Sequence, residues 1–269
     1  VRAGDVRMRG FDVPPGEWLF ARLYLGVLRP RRKILGMELA GEVAEAGKDV
    51  RNFKAGDPVF GTTELEFGGH AQYKCLREDR IVAAKPANLS FEEAAAIPTG
   101  GLGALTMIRD KAEIQAGQQV LVFGASGSVG SYGVQLAKYY GAQVTGVCST
   151  DKVERVKAIG LDRVIDYTQE DYATGEVKYD CIFDAAGKIS KSESRAALKP
   201  NGKFVSIHKD SYKETVKDLA TLRELVEAGH IRPVIDRTFS LDEIVKAYQY
   251  VEQRQKVGNV VITVDHNSA

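Results

Sequence analysis

Cysteine is scarce in this chain, with three in 269 residues, at positions 75, 148 and 181. An odd number spaced so widely excludes a disulfide framework and any metal cluster built from cysteine alone, so the three read as free thiols of a reducing compartment. Histidine numbers four, His70, His208, His230 and His266, scattered singly and each read as a surface or turn residue rather than a ligand. Net charge is nearly absent as well: 37 basic against 36 acidic residues leave +1. No overall field then draws the chain to nucleic acid or to an anionic membrane, and neither is expected as a partner. No apolar run reaches membrane-spanning length, and the opening VRAGDVRMRG holds no signal-peptide core, so a cytoplasmic protein is expected. Internal repeats and low-complexity tracts are missing too.

What is present centres on residues 118–148. Gln118 to Phe123 is a short Val- and Leu-rich run that suits a strand buried on both faces of a parallel sheet. Glycines follow at 124, 127 and 130. From Ser128 apolar residues recur at helical spacing until Gly141, and Gln143 to Cys148 reads as a second strand, completing a βαβ unit. Ala125-Ser126-Gly127-Ser128-Val129-Gly130 is a G-x-G-x-x-G pattern with Ala in its first position. A pyrophosphate reaches backbone N–H groups at a helix N-terminus only where no Cβ intervenes, and the helix dipole then favours its charge. With a strand on each side and a helix between, the pattern points to dinucleotide binding. The competing reading is a Gly-rich turn that only packs helix on sheet.

The rest of the chain differs on the two sides of this unit. In residues 1–98 glycines punctuate short strand-like runs, Leu39 to Ala46, Pro58 to Gly61 and His70 to Cys75, suggesting a small antiparallel barrel or sandwich. Between them Phe11 to Lys33 reads as a loop with Pro14-Pro15, the aromatics Phe11, Trp18, Phe20 and Tyr24, and a basic cluster of Arg29, Arg31, Arg32 and Lys33. The cluster is an anion patch or, the favoured reading, a solvated surface. The aromatics form a wall for a flat ligand or, again favoured, cover the barrel core. Ser90 with Glu93 opens a helix that stops at Pro98; Thr99-Gly100-Gly101 breaks the chain, and Leu102 to Glu113 is helical. Beyond Asp151 helices are expected over Lys152–Ile159, Ser190–Leu198 (closed by Pro200), Val216–Ala228 and from Ser240 to Glu252. Strands are expected over Arg163–Tyr167, Tyr179–Asp184, Lys203–Ile207, Val234–Phe239 and Asn259–Val264. Such alternation implies a doubly wound parallel sheet. The expected domains are 99–230 for dinucleotide binding, and 1–98 with 231–269 for substrate.

Gly36-Met37-Glu38, Gly41, Gly47, Gly56-Asp57-Pro58-Val59-Phe60-Gly61 and the A-S-G-S-V-G turn together resemble the medium-chain dehydrogenase/reductase superfamily, most closely its zinc-free quinone oxidoreductase branch. The resemblance spans most of the chain and implies an α/β Rossmann domain plus a GroES-like β-barrel substrate domain. It departs in two places, a strand pair usual ahead of Val1 and a longer stretch usual between Ile207 and Leu219. Zinc-using relatives take one ligand from the His of a Gly-His-Glu motif. Here that place holds Met37, a poor zinc donor, and the first-segment Cys place falls at Gly4 or Asp5, so no metal is expected. The resemblance also implies cofactor contacts at Ser126, Gly127, Ser128 and Val129 for the pyrophosphate, and at Ser149, Lys152 and Tyr167 for the adenosine half and a 2′-phosphate. Ala185 and Asn259 fall at the nicotinamide half. Cys148 stands where an NAD-specific fold carries an acid, which favours NADPH over NADH, although Asp151 lies close by.

A metal-free site of this kind would transfer hydride to an acceptor already polarised, a quinone or an α,β-unsaturated carbonyl, in a cleft between the domains. Two other readings stay open: an oxidoreductase of the same fold acting on a different carbonyl or alcohol, and a cofactor-binding protein without catalysis. No catalytic residue is assigned, since Asp5, Arg7, Tyr73 and Thr99 all have structural readings. The family implies a homodimer.

Overall fold

The computed structural model describes residues 1–12, 16, 18–27 and 29–264; Pro14-Pro15 and His266 lie outside them. By contact density the chain divides into two units, 1–98 with 235–269, and 99–234.

The first unit opens with helices α1 (Ala3–Gly10) and α2 (Trp18–Leu25), so part of the expected loop over 11–33 is helical. Strands β1 (Glu38–Glu42), β2 (Pro58–Thr62) and β3 (Val82–Ala84) then form an antiparallel sheet in that order, followed by the short helix α3 (Phe91–Ala95). α3 starts with the expected capping box: Ser90 Oγ accepts the Glu93 N–H, and the Glu93 carboxylate accepts the Ser90 N–H. The expected strand at 70–75 does not form. Gly69 and His70 instead donate their N–H groups to Gly36 and Leu35, each at 3.0 Å, which ties the start of the segment to a loop.

In the second unit α4 (Pro98–Leu105) runs straight through Thr99-Gly100-Gly101, where a break is expected. These glycines serve packing. A Cβ on Gly100 would stand 2.4 Å from Ser128 Oγ, and one on Gly103 2.9 Å from Ile207 Cδ1. The helix widens to π geometry over Thr106–Ala112. Next come β4 (Gln119–Phe123), α5 (Ser128–Tyr139), β5 (Gln143–Cys148), α6 (Val153–Lys157), β6 (Arg163–Asp166), β7 (Tyr179–Asp184), α7 (Lys191–Ser194), β8 (Leu198–Ser206) and α8 (Val216–Glu227). α7 is shorter than expected and Pro200 lies inside β8, because Tyr179 N–H pairs with Ala197 O at 2.8 Å and draws the chain into the sheet. The five strands are parallel in the order β6-β5-β4-β7-β8, so the chain reverses direction of travel at β4. Leu121, Val147, Ile165 and Ile182 fill the core on one face of the sheet.

The chain then re-enters the first unit as β9 (Ile235–Ser240), α9 (Ile244–Glu252) and β10 (Asn259–Thr263), the two strands parallel to each other. Ala247, Tyr248 and Val251 of α9 share a core with Val260 and with Val6 of α1.

The turn between β4 and α5 is held by contact between backbone atoms. Gly124 has φ +80°, and a Cβ on Gly130 would lie 2.1 Å from the Gly124 carbonyl oxygen. Gly130→Ala must therefore push helix from turn, and is expected to lower unfolding free energy by about 2–3 kcal/mol, read as a lower urea midpoint at unchanged m-value.

Candidate functional site

In a doubly wound sheet, ligands bind beyond the carboxyl ends of the strands, where the order reverses. Here that point is the end of β4. Phe123 leads into Gly124, and the Gly127 N–H donates to Gly124 O at 2.9 Å, closing the turn. The Gly127 amide is thus engaged, and what this residue contributes is an absent side chain. A Cβ there would meet only Gly124 O, at 3.4 Å, so packing within the chain does not demand glycine at 127. α5 has no side-chain cap, which leaves the first-turn amides of Ser128, Val129 and Gly130 for an acceptor from outside. The Ser128 side chain is buried toward Gly100 and does not face that opening. Ser126 lies within the turn and is half-buried.

The neighbouring strand ends carry the other expected contacts. β5 ends at Cys148, which is buried and whose thiol burial pushes up to about 11; it is no nucleophile. Ser149 follows and donates its hydroxyl to Asp151, so the nearby carboxylate has a partner of its own. Thr150 donates to Asp166 Oδ2 at 2.5 Å, which helps hold that carboxylate below its usual range. Lys152 is half-buried at the start of the next helix. Tyr167, just past β6, is exposed, and its ring stacks on Phe123 with centroids 6.3 Å apart and planes 27° apart. Tyr167 N–H donates to Cys148 O at 3.1 Å, which places it beside the end of β5. The structure therefore gathers Ser126 to Val129, Ser149, Lys152 and Tyr167 along one edge of the sheet.

Ala185 begins the loop after β7, its N–H bonded to Phe123 O at 3.0 Å. The loop is shaped by Asp184, a fully buried residue that sequence reasoning did not single out. Its carboxylate accepts the Ala186 N–H at 3.2 Å, the Lys188 N–H at 3.1 Å and the Ser206 hydroxyl at 3.2 Å. A signal existed: an acid that closes the apolar run Cys181-Ile182-Phe183 needs partners where it is buried.

Asn259 lies in the other unit, buried at the start of β10 on the wall of a cavity of about 1160 Å³ that also exposes Arg2, Asp5, Met37, Glu38 and His70. Arg2 and His70 were missed as site residues. Arg2 Nη2 donates to Met37 Sδ at 3.3 Å, and Arg2 Nε lies 3.0 Å from Glu38 Oε2, with both charged side chains largely buried. Asp5 caps α1, accepting the Arg2 N–H at 2.8 Å. Tyr73 is exposed, and Arg7 faces Asp12 at 3.9 Å.

Comparison with known proteins agrees with this geometry. Residues 5–87 match the alcohol dehydrogenase GroES-like domain, and residues 159–217 and 210–262 match the zinc-binding dehydrogenase domain. The chain is 35% identical over 252 residues to a 2-methylene-furan-3-one reductase of Solanum lycopersicum, and 32% identical over 256 residues to an NADPH-dependent alkenal/one oxidoreductase of Arabidopsis thaliana. Each alignment covers 87% of this chain and 64% of the relative's length. A chloroplast envelope quinone oxidoreductase homolog of Arabidopsis thaliana is 30% identical, with 96% and 88% covered. The solved quinone oxidoreductase of Coxiella burnetii superposes with a TM-score of 0.87 at 29% identity, over 98% of this chain and 87% of that one. The chain belongs to the medium-chain dehydrogenase/reductase family, with a Rossmann-type parallel sheet and a GroES-like domain.

The family includes zinc enzymes, but the residues present here do not fit the ion. A thioether stands in the histidine's place; Gly4, where a Cβ would lie 4.0 Å from Met37 Sδ, faces it with no side-chain donor, and Arg2 Nη2 reaches the same sulfur. A guanidinium 3.3 Å from the donor atom repels a second cation. Among the described residues, no group of three His, Cys, Asp or Glu side chains could hold a metal. Of the other sulfur groups, Cys181 is buried with its thiol pushed up to about 12, and Cys75 is exposed.

His70 is half-buried at a bend. Its ring packs edge-on to Tyr248 at 5.9 Å, and burial pushes its pKa down to about 4, against the opposing pull of Asp5. The unfolded chain therefore binds this proton more readily than the folded one between about pH 6.5 and 4. His70 thus makes stability fall as pH drops through that window, with the full value present above it. In His70→Gln the urea midpoint should change less between pH 7 and pH 4.5 than in the parent chain.

Proposed function

We propose that this chain reduces a quinone or an α,β-unsaturated carbonyl with hydride from NADPH and without a metal ion. The observation that carries the cofactor part is Gly127, whose missing side chain answers no packing need and opens the uncapped first turn of α5 to a pyrophosphate. NADPH is favoured over NADH by Lys152 and by the exposed face of Tyr167, which suit a 2′-phosphate and an adenine ring. Asp151, the carboxylate that could serve a 2′-hydroxyl, is already bonded to Ser149. Two relatives point the same way, being named an NADPH-dependent alkenal/one oxidoreductase and a quinone oxidoreductase homolog.

The bound nicotinamide supplies the hydride from its C4. The chain's own part is to hold and exclude. The amides of Ser128, Val129 and Gly130 would take the pyrophosphate, and the Asp184-braced loop at Ala185 to Gly187 would set the nicotinamide half. With Met37 in the histidine's place and the Arg2 guanidinium already paired with Glu38, the residues present offer no Lewis acid to lower an alcohol's pKa. The acceptor must then be one whose added hydride leaves charge on an enolate or phenolate oxygen, which hydrogen-bond donors and water can manage.

The test titrates NADPH and NADH by fluorescence and then follows NADPH oxidation with 1,4-benzoquinone and a simple alkenal. Expected are tighter NADPH binding, turnover of both acceptors, no oxidation of primary alcohols and no loss on chelation. Stoichiometric tightly held metal, with activity abolished by its removal, would overturn the reading. Gly127→Ala should weaken NADPH at least about tenfold by filling the pyrophosphate's approach, while costing under about 1 kcal/mol of stability at this N-cap. Lys152→Ala should narrow the preference for NADPH over NADH.

A further inference from the structure

The helix α2 is apolar on its outward face. Phe20 is 75%, Leu19 61% and Leu23 51% exposed, with Tyr24 at one flank and Trp18, at the helix start beside Arg22, also exposed, and none of its eight residues is buried. Ala21, Arg22 and Leu25, the least exposed, lie on the opposite side. Arg22 stacks its guanidinium over Phe11 at 4.6 Å and Trp18 at 5.6 Å, so the helix turns its cation toward protein and its hydrocarbon outward. Leu65, also exposed, adjoins the helix through its carbonyl, which accepts the Tyr24 hydroxyl at 3.1 Å, and Val27 and Ile34 further along the chain are exposed as well. The expectation that these aromatics cover the barrel core is therefore overturned for Trp18, Phe20 and Tyr24, while Phe11 is half-buried.

Charge is distributed to match. From 18 to 37 the sequence has five cations, Arg22, Arg29, Arg31, Arg32 and Lys33, and no acid. Arg29, Arg31, Arg32 and Lys33 are exposed, and among the described residues they enter no ion pair. Arg31 N–H bonds back to Leu25 O at 2.7 Å, which folds the cluster against the end of the helix. The nearest acids by the Leu65 edge, Glu64 and Glu66, are both paired with Arg80.

We propose that α2 and this cluster form a docking surface for an anionic lipid membrane, the helix lying in the interface with Leu19, Phe20 and Leu23 inserted and the cations on the headgroups. An outward apolar face beside unpaired positive charge suits such a surface and suits neither water nor an uncharged partner. The near-zero net charge does not oppose it, because membrane attraction acts within a Debye length and reads the local patch. The helix is far too short to cross a bilayer, and no described helix is long and apolar enough to do so. The inference is independent of the redox reading.

The chain carries its own reporter, since Trp18 is its single tryptophan. Intact protein is mixed with vesicles of phosphatidylcholine alone, or of phosphatidylcholine with phosphatidylglycerol, and followed by Trp18 emission and co-sedimentation. A shift to shorter wavelength and sedimentation with the anionic vesicles only, both weakened by high salt, are expected. Leu19→Glu with Leu23→Glu should abolish the shift, and each of Arg31→Ala and Arg32→Ala should lower partitioning about fivefold, with far-UV circular dichroism and NADPH binding unchanged. No shift and no sedimentation would overturn the proposal, as would equal binding to uncharged vesicles. So would a doubled mass in light scattering with a lipid-independent shift, which would mean that a second copy covers the face.

Discussion

The turn between β4 and α5 depends on how close two pieces of backbone come. Gly130 approaches the Gly124 carbonyl where a Cβ would sit 2.1 Å away, and on its other side Gly124 meets Ala186, where a Cβ would come to 2.8 Å from the Ala186 Cβ. One turn thus fixes the helix to its own strand and to the loop that follows β7. Steric exclusion of this kind is short-ranged and unforgiving, because interiors are close-packed. It holds the first amides of α5 and the Asp184-braced loop at the same edge of the sheet, which is what a dinucleotide needs if it is to span from pyrophosphate to nicotinamide.

In the other unit the organising interaction is electrostatic. Arg2, Met37 and Glu38 form a contact in which a guanidinium lies against a thioether and beside a carboxylate, all largely shielded from water. Burying a charge without a partner is costly, so each of the two ions makes the other tolerable. The positive charge beside Met37 is delocalised, permanently protonated and already paired.

The outward face of α2 shows how a composition average conceals a surface. A chain with matched positive and negative totals still presents twenty consecutive residues without an acid, carrying five cations beside an apolar stripe. Contacts with water and lipid are decided over distances of a few residues.

The strand–turn–helix–strand at 118–148 was legible in the sequence because its signals are local: β-branched runs, glycine spacing and the helical recurrence from Ser128 all belong to one contiguous stretch. The capping box at Ser90 and the missing histidine at Met37 were legible for the same reason. Tertiary contact decided the rest. The glycines at 100 and 103 read as breakers, yet lie in a helix because Ser128 and Ile207 press against them. Residues 70–75 have strand composition but form no strand, and the segment is entered through hydrogen bonds of Gly69 and His70 to the loop at 35–36. Arg2 meets Met37 across thirty-five positions, and Leu19, Phe20 and Leu23 face outward although their hydropathy predicts a buried side. Sequence alone determines what each segment can become; which neighbour it meets, and hence which groups are buried, paired or left facing water, is set only when the chain is packed, because those contacts join residues with no local relation to one another.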